Sequence, residues 1–254
     1  MLKTFGLRGR EVAITVYGPR GTRALLEALG VVVGRVAYPL EVVELGPDET
    51  VALGDYRIET FAVAHRTTAV GYALREDERP GRFDVSAADA LGVASGPLRG
   101  ALQRSEAVTL PDGRVVRPAD VLGAPRRGRT VVITGDTAPA ASVVEAAAGA
   151  DVLVHEATFL ADERARAKET GHSTAAEAAL VAREADIGLL ALTHLSARYP
   201  PSDVAAESRQ LFPRTVVPRD FDLLLVPLPE RGEPRLVGRG ARRGRVTEDV
   251  GSGA

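Results

Sequence analysis

"TVVITGDTAPAAS", residues 130–142, is a β-branched apolar run that stops at Gly-Asp-Thr. Such a run reads as a buried strand, and a buried strand has no packing use for a carboxylate at its end. Asp136 therefore has either a local task or a chemical one. Locally it could cap a following helix, with Thr137 and Pro139 at the entrance. Chemically, the carboxyl ends of strands in layered α/β proteins open onto the ligand crevice, where a carboxylate has work to do.

Reading outward, strand and helix patterns alternate. Downstream come strand "DVLVHE" (151–156), helix "STAAEAALVAREAD" (173–186), strand "GLLALTH" (188–194), helix "PSDVAAESRQLF" (201–212) and strand "FDLLLVPL" (221–228). Upstream lie strand "EVAITVYG", helix "GTRALLEALG" ending in Gly30, and strands "LEVVELG" and "YRIETFAVAH". This is α/β layering. The pattern breaks over residues 76–128, which are rich in Gly, Pro and charge. An excursion of that length inside a domain is usually functional or disordered. After Pro229 the chain shows no apolar period, and residues 230–254 are expected to form a mobile tail. The sequence predicts one domain over 1–229 carrying an insertion at 76–128.

Composition narrows the chemistry. The 254 residues contain no cysteine, so disulfides, thiolate metal sites and cysteine nucleophiles are excluded, and a metal would have to sit on His, Asp or Glu. A net charge of −2 gives no global attraction to polyanions, so nucleic-acid contact would come from local patches. No long apolar run or signal-peptide core occurs, from which a cytoplasmic location away from membranes is expected.

The chain has four histidines, and their placement is selective. His65 ends "ETFAVAH", His155 and Glu156 end "VLVHE", His194 ends "LALTH", and His172 precedes a helix in "GHST". Converging strand ends would gather imidazoles and a carboxylate, a donor set suited to Zn²⁺, which can lower the pKa of a bound water to about 7. Each signal alone has a plain alternative. A single strand-end histidine is more often structural than a ligand, and Ser173, with Ala176 and Glu177 beyond it, is a near miss for a capping box.

In order, "GDT", "HEAT", "GHST" and "THLSARY", with "AHRTTAVGYALREDERPGRFD" upstream, resemble ribonuclease Z, a tRNA 3′-end endoribonuclease family of the metallo-β-lactamase superfamily. The resemblance covers about residues 1–226. It implies an α/β fold of the αββα sandwich type, with two Zn²⁺ ions per complete site and precursor tRNA as substrate. Position by position it implies His65 and His194 as ligands of different metals and Asp136 as the carboxylate bridging both. It places Glu156 and His172 beside the scissile phosphate, the histidine assisting departure of the 3′-oxygen and the glutamate setting its tautomer. His155 is expected to support the site or the core without binding metal. The irregular stretch resembles the family's protruding exosite arm, with Gly96 and Pro97 in its glycine-proline motif and Arg99, Arg104 and Arg114 as candidate phosphate contacts. A homodimer is implied as common in the family, with "GPRGTRALLEAL" a possible contributor.

One departure accompanies these matches. The family's H-x-H-x-D-H motif occurs nowhere in the 254 residues, and the resemblance begins at "GLRGREVAITVYGPRGT", next to Met1. The sequence therefore predicts an N-terminally incomplete sandwich with two protein ligands for each zinc, metal stoichiometry below two and impaired cleavage. A start assigned downstream of the true one, a truncated gene and an inactive partner subunit each fit that pattern. A non-catalytic RNA-binding or dimerisation module and another phosphodiesterase of the same superfamily are the competing functions.

Overall fold

The computed structural model describes residues 1–239. In chain order its helices and strands are α1 (Leu2–Leu7), β1 (Ile14–Pro19), α2 (Thr22–Val33), β2 (Leu40–Leu45), β3 (Thr50–Ala52), β4 (Tyr56–Ala62) and β5 (Val70–Glu76). Next come α3 (Val85–Ala90), α4 (Pro97–Gln103), β6 (Val108–Thr109), β7 (Val115–Val116), β8 (Thr130–Ile133), α5 (Ala141–Ala147) and β9 (Val152–Glu156). The last are α6 (Arg164–Thr170), α7 (Ala175–Glu184), β10 (Leu189–Thr193), α8 (Pro201–Leu211), β11 (Thr215–Val216), β12 (Leu223–Leu225) and β13 (Arg235–Val237).

Seven strands form the main sheet in the order β11-β10-β9-β8-β5-β4-β3. Strands β8 to β11 run parallel, joined by helical crossovers, and β5 lies antiparallel to β8. The parallel strands are the ones that read as near-continuous apolar runs, because helices cover them. Leu153, Leu190, Leu192 and Val132 are fully buried there. Helix α7 meets the sheet with Ala175, Ala178, Ala179 and Ala182, all at 0% exposure and spaced i, i+3, i+4, i+7. A stripe of alanines lets the helix axis approach closely and leaves the leucines to fill the layer. Each fully buried leucine contributes about 1.5–3 kcal/mol.

The register of these strands aligns the chemistry. Glu156 pairs with Thr193 and Val154 with Ile133, so the three central strands finish side by side, and Asp136, Glu156 and His194 follow at one edge. Strands β1 and β2 form a separate parallel pair linked by α2, whose Leu25, Leu29, Val31 and Val32 are exposed.

The chain divides into two compact units, Met1–Arg75 with the residues from Arg129 on, and Glu76–Gly128. The second unit holds a core of its own around Leu102, Val93, Val121 and Val116, with α3, α4 and the β6–β7 hairpin. Gly96 and Pro97 begin α4. Gly96 takes φ 104°, a conformation that favours glycine, and Pro97 occupies the first helical turn, where its missing N–H costs nothing.

Three expectations need correction. A tail mobile from residue 230 is not what residues 235–237 show, since β13 pairs antiparallel with β12 through Leu223↔Val237 and Leu225↔Arg235, while residues 240–254 lie outside the described residues. Asp136 does not cap a helix: α5 starts at Ala141, with Ala140 before it. The residue that caps α7 is Thr174, not Ser173, and it forms a complete capping box with Glu177. Ser173 instead turns inward and donates to the Thr137 carbonyl at 2.7 Å.

Candidate active site at the strand ends

The loops that follow the strands are tied to one another by main-chain bonds. Ala138 donates to the Ala64 carbonyl at 2.8 Å, Ala157 to Thr193 at 2.9 Å, and Ala175 to Phe159 at 2.9 Å. The Thr137 hydroxyl accepts from the Ala64 amide at 3.0 Å and donates to the Ala138 carbonyl at 2.7 Å. The His65, Asp136, Glu156 and His172 loops are thereby held as one framework.

Within it the histidines meet. The His172 ring lies 5.2 Å from that of His65 and 5.3 Å from that of His194, the latter nearly parallel at 16°. His194 Nε2 is 3.6 Å from the Asp136 carboxylate. Asp136, His172 and His194 each offer a ligand atom within 4.8 Å of the others. His65 adjoins this trio through His172 rather than belonging to it.

Glu156 is the buried centre, 1% exposed. A carboxylate has about four acceptor sites, and here four donors reach it. Oε1 accepts from the Thr137 amide at 2.9 Å and from His172 Nδ1 at 2.7 Å, and Oε2 from the Thr158 amide at 3.1 Å and hydroxyl at 2.7 Å. His65 Nδ1 donates to the Gly171 carbonyl at 2.9 Å, since a carbonyl only accepts. That leaves Nε2 of a neutral His65 with its lone pair free for a metal.

His155 takes no part in this group. It is fully buried in β9, and its Nδ1 donates to the Glu156 carbonyl at 2.7 Å. Burial pushes its pKa down from the ordinary 6.5. His194 carries φ 53°, an uncommon conformation for a residue with a side chain. Gly171, at φ 75°, closes α6 and presents the carbonyl that His65 uses.

Thr158 and Gly171 are the site residues that residue-type reasoning missed. Both stand inside quoted motifs, "HEAT" and "GHST", but neither is an ionisable group. In the second unit, Arg99 binds the Val93 carbonyl at 3.0 and 2.8 Å and pairs with Asp89. Arg104 pairs with Glu106 and Arg114 with Asp112 on the surface.

Comparison with known proteins decides the family. The chain is 49% identical over 233 residues to Ribonuclease Z of Myxococcus xanthus (strain DK1622), spanning 91% of this chain and 76% of that protein. The chain belongs to the ribonuclease Z family. Ribonuclease Z of Gemmatimonas aurantiaca is 46% identical over 225 residues, covering 87% of this chain and 72% of the relative. That of Haloferax volcanii is 47% identical over 216 residues, 84% of this chain and 68% of the relative. No family model matches.

Among solved structures, the short form of human tRNase Z superposes with a TM-score of 0.55 at 21% identity, covering 90% of this chain and 72% of that one. The metallo-β-lactamase fold protein YhfI of Bacillus subtilis gives a TM-score of 0.52 at 19% identity, over 82% of this chain and 63% of that one. These two likenesses establish the fold as metallo-β-lactamase type. Ribonuclease Z enzymes are hydrolytic endoribonucleases, and this chain carries the family's α/β scaffold with the ionisable cluster at its strand ends. Among the described residues no helix is long and apolar enough to cross a membrane.

Proposed function

We propose that this ribonuclease Z family chain acts on precursor tRNA, with divalent cations, zinc by donor chemistry, held at the strand ends. The donor types suit such ions, with two protein ligands present for each. Asp136 and His194 face each other at 3.6 Å, and His65 keeps its Nε2 lone pair free because Nδ1 is spent on Gly171. Imidazole nitrogen with carboxylate oxygen suits zinc. His65 and Asp136 would hold one ion and Asp136 and His194 the other, and when bound the ions would supply Lewis-acid activation of water and of the phosphate.

The protein's own contribution is a proton-handling pair. Glu156, buried and fully engaged, holds His172 through Nδ1 at 2.7 Å, so Nε2 is the atom that points a proton at a leaving 3′-oxygen. The two stacked rings of His172 and His194 bring this acid beside the metal-binding side. The single observation that carries the reading is this juxtaposition, a buried carboxylate–imidazole pair whose ring lies 5.3 Å from that of the Asp136-facing histidine.

The second unit, Glu76–Gly128, is read as the part that grips the tRNA body, with Gly96 and Pro97 setting α4 and with Arg104 and Arg114 meeting phosphate. A homodimer through α2 fits its exposed Leu25, Leu29 and Val32, a stripe at i, i+4 and i+7. Cytoplasmic residence accords with a tRNA substrate.

The test is incubation of the purified protein with Zn²⁺ and a 3′-extended precursor tRNA, with product ends mapped. Slow cleavage near the mature 3′ end, impaired because each ion keeps only two protein ligands and lowered further in His172→Ala, is the expected result. Cleavage that is indifferent to His172→Ala, Glu156→Gln and Asp136→Ala alike would overturn it.

A further inference from the structure

The Thr158 hydroxyl stands between the two halves of the cluster. It is 2.7 Å from Glu156 Oε2, 2.7 Å from His194 Nδ1, 3.2 Å from the His194 carbonyl and 3.3 Å from His172 Nδ1. A hydroxyl has one proton to give. The close carboxylate oxygen of Glu156 claims it, because a hydrogen bond to an anion outweighs a longer one to a neutral carbonyl. The equally short contact to His194 can then be made only with His194 Nδ1 as donor. Thr158 thus converts the charge of Glu156 into a fixed tautomer on His194, with the proton on Nδ1 and the lone pair on Nε2. That is the nitrogen facing Asp136 at 3.6 Å.

We infer that Thr158 is a positioning residue, which sets the tautomer and ring orientation of His194 for metal binding while completing the shell that holds Glu156 against His172. The inference rests on the metal-site reading above, and it adds a coupling between the proton-handling pair and the metal side. Its need is local. The His194 side chain is 49% exposed and its backbone is left-handed, so packing alone does not lock the ring. His65 achieves the same end by a different route, through the Gly171 carbonyl.

Two variants and two readouts test it. Thr158→Val keeps the shape and removes the hydroxyl, and Thr158→Ser keeps the hydroxyl. Zn²⁺ affinity is measured by chelator competition, and imidazole tautomers by long-range ¹H–¹⁵N NMR on the metal-free protein. Thr158→Val is expected to bind zinc about 10–100-fold more weakly, the usual loss for a partner behind a ligand, and to show His194 as a mixture of tautomers. Thr158→Ser is expected to match the parent in both. The inference falls if Thr158→Val leaves His194 protonated at Nδ1, or if Thr158→Ser loses as much as Thr158→Val. Unchanged zinc affinity in both Asp136→Ala and His194→Ala would instead sink the metal-site reading, and the NMR arm would still decide the role of Thr158.

Discussion

Glu156 and His172 are joined by a 2.7 Å hydrogen bond whose carboxylate partner is almost wholly out of solvent, while the imidazole remains 13% exposed. The pair is asymmetric: one member is fixed, the other reaches the surface. Glu156→Gln turns one of its two oxygens into a donor, and donors already surround both. The expected cost is about 1–3 kcal/mol of stability, with activity on precursor tRNA down about 10²–10⁴-fold. Thermal unfolding and single-turnover cleavage read the two effects separately.

Gly171 tests whether the His65 carbonyl partner depends on backbone handedness. A Cβ there would sit 3.2 Å from Arg66 Cγ and 3.5 Å from His65 Nδ1, at a φ of 75°. Gly171→Ala is expected to lose about 1–2 kcal/mol from the left-handed backbone alone, and Gly171→Asn less, because asparagine visits that region more readily. Melting temperatures in the order Gly, Asn, Ala are the expected result. A parent-like alanine variant would show that the turn is not under this constraint.

His155 gives the protein a pH dependence with a defined sign. Its pKa is lowered by burial, so the native chain keeps it neutral where the unfolded chain, near 6.5, takes a proton. Its contribution is full above about 6.5 and is lost as pH falls toward the depressed native value. The slope in that window is at most about 1.4 kcal/mol per pH unit for one proton. His155→Leu removes the bond to the Glu156 carbonyl and lowers stability at pH 8, but is expected to lose less than the parent between pH 7 and 5. Denaturant unfolding across that range checks it.

The arginines of the second unit are expected to separate by role. Arg99→Ala strips two bonds from the carbonyl of Val93, a residue 1% exposed, and is expected to cost about 1–3 kcal/mol. Arg104→Ala, in a pair whose side chains are 65% and 57% exposed, is expected to change stability by less than about 0.5 kcal/mol and to lower the salt slope of tRNA binding by about 1. Thermal melts and binding titrations at several salt concentrations distinguish them.

The parallel strands were legible because their apolar runs are long and uninterrupted, and Asp136, Glu156 and His194 were legible because ionisable groups ending such runs are conspicuous. Thr158 was hidden for the opposite reason: a threonine after a strand is unremarkable until the distances to Glu156 and His194 are known. Ser173 misled because residue spacing near a helix start is ambiguous by one position, and only the backbone turn at Thr174 resolves it. Arg99 shows another limit, since sequence does not reveal that this arginine also binds the Val93 carbonyl and Asp89 within its own unit. Strand β12 falls within the run read at 221–228, while β13 went unread because a strand of three residues carries too little periodicity to register.

The cross-links between Ala64 and Ala138, Ala157 and Thr193, and Phe159 and Ala175 tie the loops that follow β4, β8 and β9 to one another, to β10 and to α7. A pocket built this way does not fray ahead of its scaffold. Amide exchange at Ala138, Ala157 and Ala175 should slow to the pace of the central strands, and warming should abolish ion capture and sheet structure in a single cooperative step.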